Sequence, residues 1–285
     1  VKIGLNSWTL GGWRLSLPGG YEEALRVAAA LGYQGLELVY DDAAHSPEKI
    51  DKQARKRIKE AASSNGLELP SVATAVFWRY SLASPQDAER RRALEYVRSG
   101  LEISADLDAD TLLVVPAVAN PEVGYRETYS RAQDSLKQAA KWAENLGVNI
   151  GVENVWNRFL YDPLIFRRFV EEIGSERVGV YFDVGNVLEL SPFEHWLEIL
   201  GDKILVIHAK DYDMTARGPA GFRYVGQGSV DWTKFIASLR SINYRGFLNV
   251  ETPPDFTKPP YSIRIPEDGV DAARASLEGL KKYLA

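Results

Sequence analysis

Four short apolar runs in the second half of the chain each end with a side chain that can bind a cation or move a proton. "NIGVEN" carries Glu153, "VGVYFD" ends on Asp183, "ILVIHAKD" carries His208 and "FLNVE" ends on Glu251. A carboxylate in an apolar strand is costly unless something pairs with it. Any one of these residues alone is usually a helix cap or a solvated rim group, and a lone His208 is more often a hydrogen-bonded core imidazole. The four together ask for another account, because three uncompensated carboxylates gathered in one place repel one another. A divalent cation is the simplest resolution, and a set rich in oxygen with one imidazole suits Mn²⁺, Mg²⁺ or Co²⁺, with Zn²⁺ also compatible.

These residues lie 30, 25 and 43 positions apart, so only a fold that collects successive strand ends can assemble them. The chain has the pattern of such a fold. Eight runs read as strands: Ile3–Ser7, Gly35–Val39, Leu69–Val76, Thr111–Pro116, Asn149–Val155, Val178–Asp183, Ile204–Lys210 and Phe247–Glu251. Most are near-continuously apolar, as parallel strands covered by helices are. Helix starts are expected at Ser46-Pro47, Ser84-Pro85 and Asp162-Pro163, where a capping side chain precedes a proline. Stops are expected near Gly32, Gly66 and Gly147, and long helices over Ser84–Leu107 and Tyr125–Leu146 fill the intervals. Strand and helix alternating eight times predict a (β/α)₈ barrel, a TIM barrel, in one domain over residues 1–285, with a doubly wound open sheet as the other arrangement. Two irregular stretches, 211–228 and 252–269, belong on the face at the strand C-termini, where barrels carry their sites.

Composition narrows the function classes. The 285 residues carry a net charge of −5 and no cysteine, which excludes disulfides and thiolate chemistry and fits a reducing cytoplasm. The acidic balance argues against nucleic-acid or anionic-membrane partners. No apolar run approaches the roughly 20 residues that span a bilayer. The opening "VKIGLNSW" reads as a first strand rather than a leader. Three histidines exist, His45, His195 and His208, too few for a histidine-rich metal cluster. No P-loop and no GxGxxG after a strand point to a nucleotide.

"GVENVWNRF", "VGVYFDVGN", "VIHAKD", "GQGSVDW" and "GFLNVE", with "SLASPQDAERRRALEYV" and "LDADTLLVVPA" upstream, resemble the sugar-phosphate isomerase/epimerase superfamily of xylose-isomerase-like barrels. The likeness is nearest to ketose and ketose-phosphate 3-epimerases and hexulose-6-phosphate isomerases. It implies one divalent metal, Mn²⁺ first among the candidates, held by Glu153, Asp183, His208 and Glu251, with the two glutamates also acting as acid and base. It further implies a sugar or sugar-phosphate substrate and a dimer or tetramer. Epimerisation beside a carbonyl removes a proton from one face and returns it on the other, which two opposed carboxylates can do while a metal stabilises the enediolate.

Further substrate contacts are expected from Trp8, Trp13, Trp78 and Trp156 as an apolar wall, from Lys210 on the same face as His208, and from Arg217 and Arg223 as phosphate ligands. Asn154 is a candidate for holding the Glu153 carboxylate. The sequence departs from the free-ketose 3-epimerases at Asn186, where they carry a histidine, and at Leu160, where they carry a glutamate. An aldose–ketose isomerase, or a dehydratase or lyase on a keto-sugar or keto-cyclitol, would use the same groups. An apurinic-site endonuclease and a non-catalytic sugar-binding barrel fit the residues less well.

Overall fold

The computed structural model describes residues 1–12, 17–253 and 266–284. Eight parallel strands close into a barrel: β1 (Lys2–Asn6), β2 (Gly35–Tyr40), β3 (Ser71–Thr74), β4 (Thr111–Val114), β5 (Asn149–Glu153), β6 (Val178–Asp183), β7 (Ile204–Ala209) and, after a short hairpin, β10 (Phe247–Val250). The hairpin is β8 (Asp211–Tyr212) paired antiparallel with β9 (Phe222–Arg223). β10 closes the ring between β7 and β1. All eight expected strands are present, within a few residues of their expected ends. The third is shorter than expected, since Pro70 offers no N–H to the ladder and Val76–Trp78 turn into a 3₁₀ helix.

The helices are α1 (Trp8–Gly11), α2 (Gly20–Leu31), α3 (Lys52–Ser64), α4 (Asp87–Asp106), α5 (Tyr125–Leu146), α6 (Pro163–Glu171), α7 (Val184–Val187), α8 (Phe193–Leu200), α9 (Trp232–Ser241) and α10 (Pro266–Leu284). α6 begins as its sequence implies: Asp162 Oδ1 accepts from the N–H groups of Leu164 and Ile165 at 2.9 and 3.0 Å, behind Pro163. Gly32 and Gly147 end α2 and α5 in the left-handed conformation. Two starts differ from expectation. Ser46-Pro47 opens only a turn, and α3 starts six residues later under an Asp51 cap that accepts from Ala54 N–H at 2.8 Å. Ser84 lies ahead of α4, its hydroxyl drawn to the Gln86 and Glu89 side chains.

Alternation along each strand sends one set of side chains into the barrel and the other toward the helices. Leu36, Leu38 and Tyr40 of β2, and Leu248 and Val250 of β10, are buried outside the ring. Inside, the fill is polar toward the mouth. Gly4 is needed there, because a Cβ at that position would stand 2.0 Å from Asn249 Oδ1. No helix among the described residues is long and apolar enough to cross a bilayer. The stretch 211–228, expected to be irregular, folds as the β8–β9 hairpin over the mouth. Most of 252–269, and Trp13, lie outside the described residues.

Candidate active site

The ends of β5, β6, β7 and β10 bring Glu153, Asp183, His208 and Glu251 together, each offering one ligand atom within 4.8 Å of the others. All four are buried. His208 Nδ1 stands 3.7 Å from Glu153 Oε1, 3.8 Å from Asp183 Oδ2 and 3.6 Å from Glu251 Oε2. These distances exceed hydrogen bonds. They are close to the spacing of about 3.4 Å between donors around one ion with bonds near 2.1 Å. Nδ1 is buried without a hydrogen-bond partner, an arrangement that a bound cation would satisfy.

Lys210 completes the charge pattern. Its Nζ lies 2.7 Å from Asp183 Oδ2 and bonds Glu251 Oε2, with the Phe222 ring 5.1 Å away. Three carboxylates thus face one ammonium, leaving two charges that a divalent cation would balance. Burial opposes the lysine's charge, but Asp183, Glu251 and Glu153 outweigh it and hold the group protonated. Burial pushes Glu153 up to about 7, with the Glu251 charge adding and His208 and Lys210 opposing. His208 rises as well: burial disfavours its charge, and the surrounding Glu251, Glu37 and Glu153 more than compensate. The donor set fits a hard or borderline divalent cation.

Above these groups a cavity of about 360 Å³ opens at the barrel mouth. Glu153, Glu251, Lys210, Asn6 and Asn186 form its polar end, and Val39, Ala73, Leu113, Val115 and Val155 its apolar wall. Trp8, Trp78 and Trp156 line it as well. Trp156 stacks on Phe222 at 4.9 Å and donates from Nε1 to the Asn186 carbonyl at 2.9 Å. Asn186 is anchored by its N–H on Asp183 Oδ1 at 3.0 Å.

The arginines fall elsewhere. Arg217 is exposed on the hairpin, and Arg223 is held by Asp213 Oδ2 at 3.0 Å and by two backbone carbonyls. Neither is among the described residues lining the cavity. Asn154 does not hold Glu153. One position along the strand, it faces the other way and clamps β5 to β6, donating to the Asp183 carbonyl at 2.8 Å and accepting from the Asp183 N–H at 2.9 Å.

Sequence reasoning missed two groups. Glu37, in mid-β2, accepts from His208 Nε2 at 2.7 Å; the signal was present in "GLELVY", a bare carboxylate inside an apolar strand. Asp211 accepts from the N–H groups of Tyr212, Gly226 and Val230 and from Trp232 Nε1, tying down both ends of the hairpin.

Comparison with known proteins agrees with the barrel fold. A family profile described as "Xylose isomerase-like TIM barrel" matches residues 25–283. SgbU of Haemophilus influenzae, named provisionally as an L-ribulose-5-phosphate 3-epimerase, is 26% identical over 237 residues, covering 81% of this chain and 83% of its own. The L-ribulose-5-phosphate 3-epimerase UlaE of Salmonella paratyphi C is 25% identical over 257 residues, covering 85% and 86%. Among solved structures, a D-psicose 3-epimerase in the presence of D-fructose superposes with a TM-score of 0.82 at 20% identity, over 100% of this chain and 99% of that one.

Proposed function

The chain belongs to the xylose isomerase-like TIM barrel family, and on that footing we propose that it is a divalent-metal-dependent 3-epimerase of a ketose or ketose phosphate. One observation carries the reading: Glu153 and Glu251 face the same cavity from β5 and β10, at 3.7 and 3.6 Å from the same imidazole nitrogen. Two such groups, one for each face of the sugar, can invert a carbon next to a carbonyl. The names of SgbU and UlaE support the same reaction.

Glu153, Asp183, His208 and Glu251 would hold the cation, with Mn²⁺ preferred for so oxygen-rich a set and Mg²⁺, Co²⁺ or Zn²⁺ able to serve. When bound, the cation supplies Lewis-acid stabilisation of the charge that develops on the substrate oxygens. One glutamate takes the C3 proton and the other returns a proton from the opposite face, with the roles exchanged in the reverse direction. Lys210, at the polar end, is positioned to donate to a substrate oxygen. Trp8 and Trp156 wall off solvent, and Asn186 offers an amide edge. A phosphate contact falls to Arg217 or Arg223 only if the hairpin turns one of them inward. We also read the chain as a single-domain cytoplasmic enzyme that works as a dimer or tetramer on a small molecule, without nucleic acid or membrane.

The test is turnover of C5 and C6 ketoses and their phosphates with Mn²⁺ in D₂O, read by NMR. Deuterium is expected at C3 with inversion there. Incorporation at C1 instead would establish an aldose–ketose isomerase, and activity that survives full metal removal would refute the mechanism.

A further inference from the structure

The interior of a TIM barrel is normally filled by bulky apolar side chains. Beneath this site it is polar. Glu37, fully buried, points inward between Gly35 and Val39. Four donors converge on its carboxylate: Asn6 Nδ2 at 2.5 Å, Ser71 Oγ at 2.8 Å, the Tyr181 hydroxyl, and His208 Nε2 at 2.7 Å. A carboxylate offers about four lone-pair sites, so Glu37 is saturated and is not among the cavity-lining residues. Its donors are themselves fixed. Asn6 Oδ1 accepts from the Trp8 N–H at 2.7 Å, which sets the amide with its nitrogen toward Glu37. Asn249 Nδ2 donates to both Ser71 Oγ and the Tyr181 hydroxyl at 3.0 Å.

We propose that Glu37 is the positioning residue of the metal site, fixing the tautomer and ring orientation of His208 so that Nδ1 is directed at the cation. The inference rests on the reading that the four strand-end groups hold a divalent ion. An ionised carboxylate can only accept, so the His208 Nε2 beside it carries the hydrogen. In the neutral ring that binds a cation the lone pair is then left to Nδ1, the ring nitrogen facing Glu153, Asp183 and Glu251. A carboxylate on the far side of a ligating imidazole also makes it a better donor, and loss of such a partner weakens metal binding about 10- to 100-fold. Asn6, Ser71 and Tyr181 fix the position of Glu37 in turn.

The experiment is a titration of metal-free wild type and Glu37→Gln with Co²⁺, followed by its visible absorption, beside thermal denaturation of both metal-free proteins. Glu37→Gln keeps the shape and one acceptor but loses the charge. The expected result is a Co²⁺ dissociation constant raised about 10- to 100-fold while the metal-free variant stays folded. A purely structural Glu37 would lower the melting temperature and leave the affinity of the folded fraction unchanged. A folded variant that binds Co²⁺ within about threefold of wild type overturns the proposal. Wild type that binds no Co²⁺ at all overturns it together with the metal reading on which it rests. Should the variant fail to fold, ¹⁵N NMR of the Zn²⁺-loaded wild type decides. With only three histidines, His208 is assigned by replacing His45 and His195. A protected proton on Nε2 with Nδ1 shifted by Zn²⁺ supports the proposal, and a proton on Nδ1 refutes it.

Discussion

Replacing Glu153 with glutamine should stabilise the metal-free protein, and most at neutral to alkaline pH. Burial lifts this carboxyl from 4.5 to about 7, helped by Glu251 and opposed by His208 and Lys210. A group whose folded pKa is raised adds stability that is fully present below its unfolded pKa and lost as pH rises through its folded pKa. The window therefore runs from about 4.5 to about 7. At about 1.4 kcal/mol per pH unit, ionised Glu153 costs the metal-free fold about 3 kcal/mol at pH 8, shrinking to about 1 kcal/mol at pH 5. For a chain of this size that corresponds to a melting temperature about 6 °C higher for Glu153→Gln at pH 8. The assay is differential scanning calorimetry of EDTA-treated wild type and variant at pH 5 and pH 8, repeated with Mn²⁺. Added Mn²⁺ should reverse the order, since wild type gains binding energy that the variant lacks. A variant less stable than wild type at pH 8 without metal, or equally stabilised at both pH values, would refute the reasoning.

Lys210→Met leaves Asp183 and Glu251 buried without their ammonium. The metal-free protein should lose about 3–5 kcal/mol, and Mn²⁺ should raise its melting temperature by more than it raises that of wild type. Asp211→Ala strands four N–H donors. Limited proteolysis should then cut within 212–230, and KM should rise more than kcat falls, since Phe222 and Pro219 of that segment wall the cavity. Asp162→Ala removes the cap of α6; unfolding in urea should show a loss of about 1 kcal/mol with turnover unchanged.

The barrel was legible because most of its strands are near-continuously apolar runs and its helices carry their own stop signals, as Gly32 and Gly147 show. The four strand-end groups were legible because each interrupts an apolar run at its C-terminal end. Helix starts were less so: Ser46-Pro47 has the local chemistry of a cap, but a cap works only if the next residues continue the helix, and the chain turns at Ser46 before starting α3 at Lys52. Arg217 and Arg223, expected as phosphate ligands, stand outside the cavity lining for a related reason. Charge and loop context do not say which way a hairpin turns its side chains, and Asp213 takes the Arg223 guanidinium. Glu37 was overlooked because it stands in mid-strand, where its partners come from β1, β3, β6 and β7. No local pattern reports such contacts.

The alternation that places the four strand-end groups also supplies their support. Tyr181 lies two residues before Asp183, Asn249 two before Glu251, and His208 two before Lys210, so each pair points inward at successive depths. The residues between them, Phe182, Val250 and Ala209, are buried on the helix side. A single polar group at such depth would be costly. A layer of them is tolerable because each satisfies the next: Asn249 donates to Tyr181, Tyr181 to Glu37, and Glu37 accepts from His208. A one-residue slip in any of these strands would send both members of its pair outward. Register, rather than any single strand-end group, is therefore what the lower layer protects, and an apolar replacement there would leave the His208 imidazole without a fixed orientation.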